Sequence, residues 1–172
     1  DLASYRTIHL ATHGLADTDL PERSCLVLSQ VDLPDPYEAA VKGERIYDGR
    51  LTVQEILREW KLDADLVTLS ACQTALGKQI SGEGMVGFAH AFLQRGARSL
   101  LVSLWKVDDT ATSLLMTRFY ENLWRRGLGK AAALKEAKQW LRRQAPDPAD
   151  PSWRPYEHPY FWSAFVLVGE RD

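Results

Sequence analysis

At 172 residues the chain has room for one domain, since about 100 to 150 residues is the commonest domain size. Its 45% hydrophobic, 10% aromatic and 26% charged residues match an average soluble globular chain, which excludes a disordered tail, a collagen-like rod and a disulfide miniprotein. A net charge of -2 gives no general field toward nucleic acid or anionic lipid, so neither nucleic acid nor membrane is an expected partner.

No apolar run approaches the ~20 residues of a membrane helix, and Asp1-Leu2-Ala3 lacks the basic-then-apolar pattern of a signal peptide. Cys25 and Cys72 have no CxxC spacing and no paired histidine nearby, so neither a zinc site nor a disulfide framework is indicated. Two free thiols fit a reducing, cytoplasmic setting.

In chain order, Thr7 to Thr12 is short and rich in branched residues, and predicts a buried strand that runs into a loop at His13-Gly14. Ser24 to Ser29 predicts a second strand, followed by a polar loop with Pro34 and Pro36, with Ile46 to Leu51 returning as a hairpin partner. Thr52 and Glu55 have capping-box spacing ahead of Ile56, Leu57 and Trp60, the apolar face of a short helix ending near Leu62. Asp65 to Ala71 predicts a strand with Cys72 just beyond its end, as His13 lies beyond the first.

A Gly-rich stretch through Gly77, Gly82, Gly84 and Gly87 leads into a helix with Met85, Phe88, Phe92 and Leu93 on one side, stopped by Gly96. Leu100 to Trp105 predicts a further buried strand. Asp108 or Asp109 caps the next helix, on which Leu115, Met116, Phe119, Tyr120 and Leu123 recur at helical spacing before Gly127. An Ala-rich helix spans Lys130 to Gln144. Five prolines from Pro146 to Pro159 mark an irregular surface excursion, and Trp162 to Val168 is a last apolar strand. Near-continuous apolar strands alternating with helices imply an α/β fold with a mostly parallel sheet covered on both faces.

Functional groups of open parallel sheets gather at the carboxyl ends of the strands, where His13 and Cys72 both fall. An imidazole beside a thiol holds or captures its proton, and the thiolate attacks a carbonyl. Gly14 lets a substrate carbonyl approach the backbone, so the N–H groups of Gly14 and Cys72 suit an oxyanion hole. The plainer readings are a cysteine buried as a small hydrophobe and a histidine satisfied in a loop. Cys25 reads as core, and His90 and His158 as structural. His9 shares the face parity of His13, consistent with support for it or with edge packing.

Gly82-Glu83-Gly84-Met85-Val86-Gly87 fits GxGxxG, but Cys72 to Ser81 separate it from the preceding strand. That loop is too long for a pyrophosphate turn, so no nucleotide cofactor is expected. Arg125, Arg126, Lys130, Lys135, Lys138, Arg142 and Arg143 read as a solvated helix face, with a partner contact as the alternative.

Ser70-Ala71-Cys72-Gln73-Thr74 partly matches the caspase pattern Q-A-C-[RQG]-G, with His13 upstream at 59 positions. Six blocks make a closer match: Leu10-Ala11-Thr12-His13-Gly14, Leu69-Ser70-Ala71-Cys72-Gln73-Thr74, Gly82-Glu83-Gly84, Gly96-Ala97-Arg98-Ser99, Leu104-Trp105-Lys106-Val107-Asp108-Asp109 and His158-Pro159-Tyr160-Phe161-Trp162. In this order they resemble the CHAT domain family, caspase-like domains associated with tetratricopeptide repeats. The resemblance implies a caspase-hemoglobinase fold, a His13/Cys72 dyad and cysteine endopeptidase activity on protein substrates; no metal or other cofactor is expected. The alternative is a caspase-like fold kept as a non-catalytic binding or signalling module.

The block at Leu104 to Asp109 also resembles the strand-end segment of separase, whose acidic residues receive an Arg before the scissile bond. Trp105, Asp108 and Asp109 are therefore candidate substrate-binding residues, with capping as the competing role of the aspartates. The family fold has two strands ahead of the one leading to the catalytic histidine, and here that strand starts near Asp1. Residues 1–172 are thus expected to be the C-terminal part of one caspase-like domain. An upstream segment, a repeat domain or a partner chain would complete the sheet and regulate it.

Overall fold

The apolar strands find their partners across long stretches of chain. In the computed structural model, residues 1–15, 17, 20–70, 72–73, 83–145, 149–150 and 152–172 are described. The strands and α-helices, in order, are β1 (Thr7–Leu10), β2 (His13–Leu15), β3 (Cys25–Val27), α1 (Pro36–Lys42), β4 (Arg50–Thr52), α2 (Val53–Glu59), β5 (Leu66–Leu69), β6 (Cys72–Gln73), α3 (Glu83–Gln94), β7 (Ser99–Ser103), α4 (Asp109–Tyr120), α5 (Lys130–Leu141) and β8 (Phe165–Gly169).

The main sheet has the order β1-β5-β7-β8, parallel through β7, with β8 antiparallel at the end. Every residue of β5 and β7 is buried, and successive side chains serve opposite layers because a strand alternates with period two. Val67, Leu69, Leu100 and Val102 pack with Ile56 of α2 and Phe88 and Phe92 of α3. Leu66 and Leu101 pack with Leu115 and Phe119 of α4 and Leu141 of α5. Each such side chain contributes about 1.5 to 3 kcal/mol on leaving water. The fold is the expected α/β arrangement: a mostly parallel sheet with helices on both faces, caspase-like in architecture.

The first strand does not end in a loop at His13. It breaks at Ala11 and Thr12, then resumes as β2 in a second small sheet of order β4-β3-β2-β6. The Thr12 hydroxyl donates to the Val27 carbonyl at this changeover. Cys72 likewise lies in a short strand, β6, two positions beyond Ser70, whose N–H donates to the Leu10 carbonyl at 3.0 Å.

Other boundaries moved for local reasons. The Pro34–Pro36 segment holds α1: the Asp35 carboxylate accepts from the Tyr37 and Glu38 N–H groups at 2.8 and 2.9 Å, with Pro36 in the first turn and Gly43 closing at φ +68°. The hairpin partner of β3 is Arg50–Thr52, and Ile46 and Tyr47 are exposed. The capping box of Thr52 and Glu55 forms as expected. After α4 a π-helical turn, Glu121–Arg125, carries the chain to Gly127. The proline-rich excursion contains two 3-10 turns, Pro155–Glu157 and Pro159–Phe161; Pro146, Pro148 and Pro151, like Gly77 and Gly82, lie outside the described residues.

The basic positions do not form one solvated face. Lys130 is buried, Arg126 pairs with Glu136 at 3.3 Å, and Lys138 donates to the Phe165 carbonyl at 2.6 Å. Glu136 also receives Arg118 at 2.6 Å, and the Arg118 hydrogen bond holds its carboxyl down at about 2. Among the described residues no helix is long and apolar enough to cross a membrane.

Candidate active site

The small sheet sits at the carboxyl ends of β1 and β5, and its register sets the two candidate residues opposite each other. β2 and β6 are parallel, with His13 paired to Cys72 and Gly14 to Gln73. On its other side β2 is antiparallel to β3, with His13 opposite Val27 and Gly14 opposite Leu26. Gly14 is buried and His13 is exposed.

His13 opens onto a cleft of about 560 Å³ between the small sheet and the start of α4. Lys106, Asp109, Thr112 and Tyr120 line the opposite wall, and His9, Thr12 and Ser70 complete the near side. The two adjacent aspartates separate here. Asp108 is the N-cap of α4, its Oδ1 accepting from the Ala111 N–H at 2.9 Å, whereas Asp109 lines the cleft. Trp105 is held from behind: its indole N–H donates to the Tyr160 carbonyl at 3.1 Å, and the Tyr160 hydroxyl donates to the Lys106 carbonyl at 2.6 Å. The segment before α4 is thus braced by the segment around Pro159.

His9 is exposed overall, but one face of its ring lies 5.7 Å from the Tyr120 ring, and desolvation there lowers its pKa. Tyr120 donates to the Thr68 hydroxyl at 2.9 Å and stacks on Trp124 at 4.5 Å; burial pushes its phenol up. His9 therefore borders the same cleft as His13. Cys25 is buried, and desolvation raises its thiol, which makes it an inert core residue. His158 is structural, its Nδ1 accepting from the Tyr160 N–H at 3.2 Å. His90 is exposed on α3. Among the described residues no group of three or more His, Cys, Asp or Glu is arranged to hold a metal.

The family model of the CHAT domain matches residues 1–170. The chain belongs to the CHAT domain family. It is 34% identical over 119 residues to tetratricopeptide repeat protein 28 of Mus musculus and 33% identical over 119 residues to the Homo sapiens protein of the same name. Each alignment covers 69% of this chain and 4% of the relative, so the chain spans a small part of the length of the curated proteins it matches.

Within this CHAT domain, Asp109 alone of the far-wall residues stood out from the sequence as a candidate for the site. Thr112, Ser113, Met116 and Tyr120 line the cleft from one side of α4, with Met116 buried beside Ala111, Leu115 and Phe119. Thr112 and Ser113 were visible as polar positions of an amphipathic helix, and Met116 and Tyr120 as part of its apolar stripe. The spacing does not tell that this side of α4 faces the strand ends across a cleft.

Proposed function

We propose that this CHAT domain is a cysteine endopeptidase that cleaves protein substrates through a His13/Cys72 dyad. The observation that carries the reading is the parallel register of His13 with Cys72. Neighbouring strands lie about 4.8 Å apart, so the register brings the two backbone positions together, the placement that proton exchange between an imidazole and a thiol requires. In this mechanism His13 takes the thiol proton as the sulfur of Cys72 attacks the scissile carbonyl. The backbone N–H groups of Gly14 and Cys72 receive the oxyanion. The C–N bond breaks as His13 returns the proton to the leaving amine, leaving a thioester. His13 then draws a proton from water, the hydroxide attacks the thioester, and the thiol is restored.

Asp109 on the cleft wall is the specificity group of this reading, with Asp108 and Trp105 holding the segment that presents it. A carboxylate there favours Arg, then Lys, before the scissile bond by a charge-assisted pair. Lys106 lines the same wall, so a basic substrate side chain competes with its ammonium for Asp109. The outer edge of β1, the end strand of the main sheet, takes further strands from an upstream segment, a repeat region or a partner, which regulates the site. The setting that suits a free thiol nucleophile is the cytoplasm.

The test is labelling by an electrophilic peptide probe together with cleavage of a peptide library. Cys72→Ala and His13→Ala each lower cleavage at least about 10³-fold and abolish labelling. Asp109→Ala lowers kcat/KM for Arg-containing peptides about 10- to 100-fold. Full cleavage by Cys72→Ala would end the peptidase reading. A folded wild type that neither labels nor cleaves is the outcome of a non-catalytic binding module.

A further inference from the structure

The far edge of the main sheet carries a second feature, distant from the cleft. Among the described residues β8 is bonded to β7 alone. The Leu104 N–H donates to the Ala164 carbonyl at 2.9 Å, and the Glu170 N–H donates to the Arg98 carbonyl at 3.0 Å. Antiparallel alternation therefore turns the backbone of positions 164, 166, 168 and 170 toward β7 and that of Phe165, Leu167 and Gly169 outward. Lys138 marks this outward side, since its ammonium donates to the Phe165 carbonyl at 2.6 Å.

Beside that edge α5 and β8 enclose a groove of about 400 Å³. Leu134, Leu167 and Trp162 give it apolar surface, and Lys135, Lys138 and Arg142 ring it with positive charge. The three cations recur at helical spacing on one face of α5. Among the described residues none of them is ion-paired: the carboxylate of α5, Glu136, is turned to Arg118 and Arg126. Arg142 lies over the Trp162 ring at 5.1 Å. Burial lowers the pKa of Lys138, so an incoming carboxylate would favour its charged form.

We propose that the α5–β8 edge is a docking site for an extended acidic segment of another protein. That segment adds a strand to β8 through the outward N–H and carbonyl of Leu167 and sets its carboxylates against Lys135, Lys138 and Arg142. A strand edge beside an apolar groove is a peptide-binding geometry, in which main-chain bonds give affinity and alternate side chains give specificity. A second copy is disfavoured, because edge-to-edge pairing of two β8 strands brings the same three cations together. The site is independent of the peptidase reading.

The experiment is fluorescence anisotropy on the whole chain with a labelled octapeptide of alternating Glu and Val. Its controls are the Lys/Val peptide, the Glu/Val peptide N-methylated at every second residue, and an oligothymidylate. The Glu/Val peptide binds, the Lys/Val and N-methylated peptides bind at least 10-fold more weakly, and Lys135→Glu with Arg142→Glu weakens binding at least 10-fold. Both substitutions are at exposed positions and leave the fold intact. Absent binding of the Glu/Val peptide, equal binding of its N-methylated form, or indifference to the charge reversals overturns the proposal. Tighter binding of oligothymidylate, or dimerisation of the chain through β8, overturns it in favour of those occupants.

Discussion

The two sheets of this molecule are built on different physical terms although they share the same strands of chain. In the main sheet β5 and β7 are buried along their whole length between two helical layers. In the small sheet the strands are two or three residues long, and in β2 an exposed His13 stands next to a buried Gly14. The first sheet is stabilised by apolar area. The second continues β1 and β5 and still sends Leu26 and Leu51 of β3 and β4 into the core, while His13 reaches solvent. The candidate chemistry lies in the second, which teaches that reactive side chains are placed by a rigid core without being part of it.

The sharpest way to test that contrast is to remove a ring from the core. Phe119→Ala, at a fully buried position, should cost about 3 to 5 kcal/mol in urea denaturation. A cost under about 1 kcal/mol would mean that the α4–α5 layer is not what holds the main sheet.

Next comes the ion network behind α4. The Glu136 carboxyl is held down at about 2 from an ordinary 4.5, chiefly by Arg118, with Asn122 and Arg126 adding to the effect. A depressed carboxylate pKa stabilises the fold above its unfolded value, and that stabilisation is lost as pH falls through the folded value. Glu136→Gln should therefore lower stability by about 2 kcal/mol at pH 7. The difference from wild type should shrink from about pH 4.5 toward pH 2. A pH-independent difference would place the effect in packing.

Smaller again is the separation of the two aspartates. Asp108→Ala should lose about 1 kcal/mol with its helix cap, whereas Asp109→Ala should leave stability within about 0.5 kcal/mol. Equal losses in thermal denaturation would break the division between a capping and a cleft-lining carboxylate. The smallest expected effect is that of His13→Ala, within about 0.5 kcal/mol of wild type, because the side chain is exposed beyond the core. A loss of several kcal/mol would join the small sheet energetically to the large one.

Much of the main sheet was legible because its signals are strong and local. Leu66 to Leu69 is apolar but for Thr68, Leu100 to Val102 is an unbroken apolar run, and the capping box at Thr52 and Glu55 names its own helix. The short strands β2 and β6 were not legible. Two or three residues carry no periodicity, and their pairing is inherited from neighbours far away in sequence. The helix α1 was legible but overlooked, since Asp35-Pro36 is a capping signal that the surrounding prolines disguised. At the site, His13, Cys72 and the aspartates stood out as residue types. The side of α4 that closes the cleft, part polar and part apolar, became meaningful only once the helix was docked.

The continuity of β1 with β2 and of β5 with β6 has a consequence for how the site forms. His13 and Cys72 are 59 positions apart, and closing such a loop carries an entropic cost that grows only slowly with length. Docking β1 on β5 over four residue pairs meets that cost through core burial. The meeting of β2 with β6 then requires only the few residues between to settle, with no further closure. Register errors are suppressed by the same arrangement, because a one-residue slip would turn the apolar face of β1 away from the core before it misaligned position 13. The alignment of His13 with Cys72 is therefore set by strands that lie outside the candidate site.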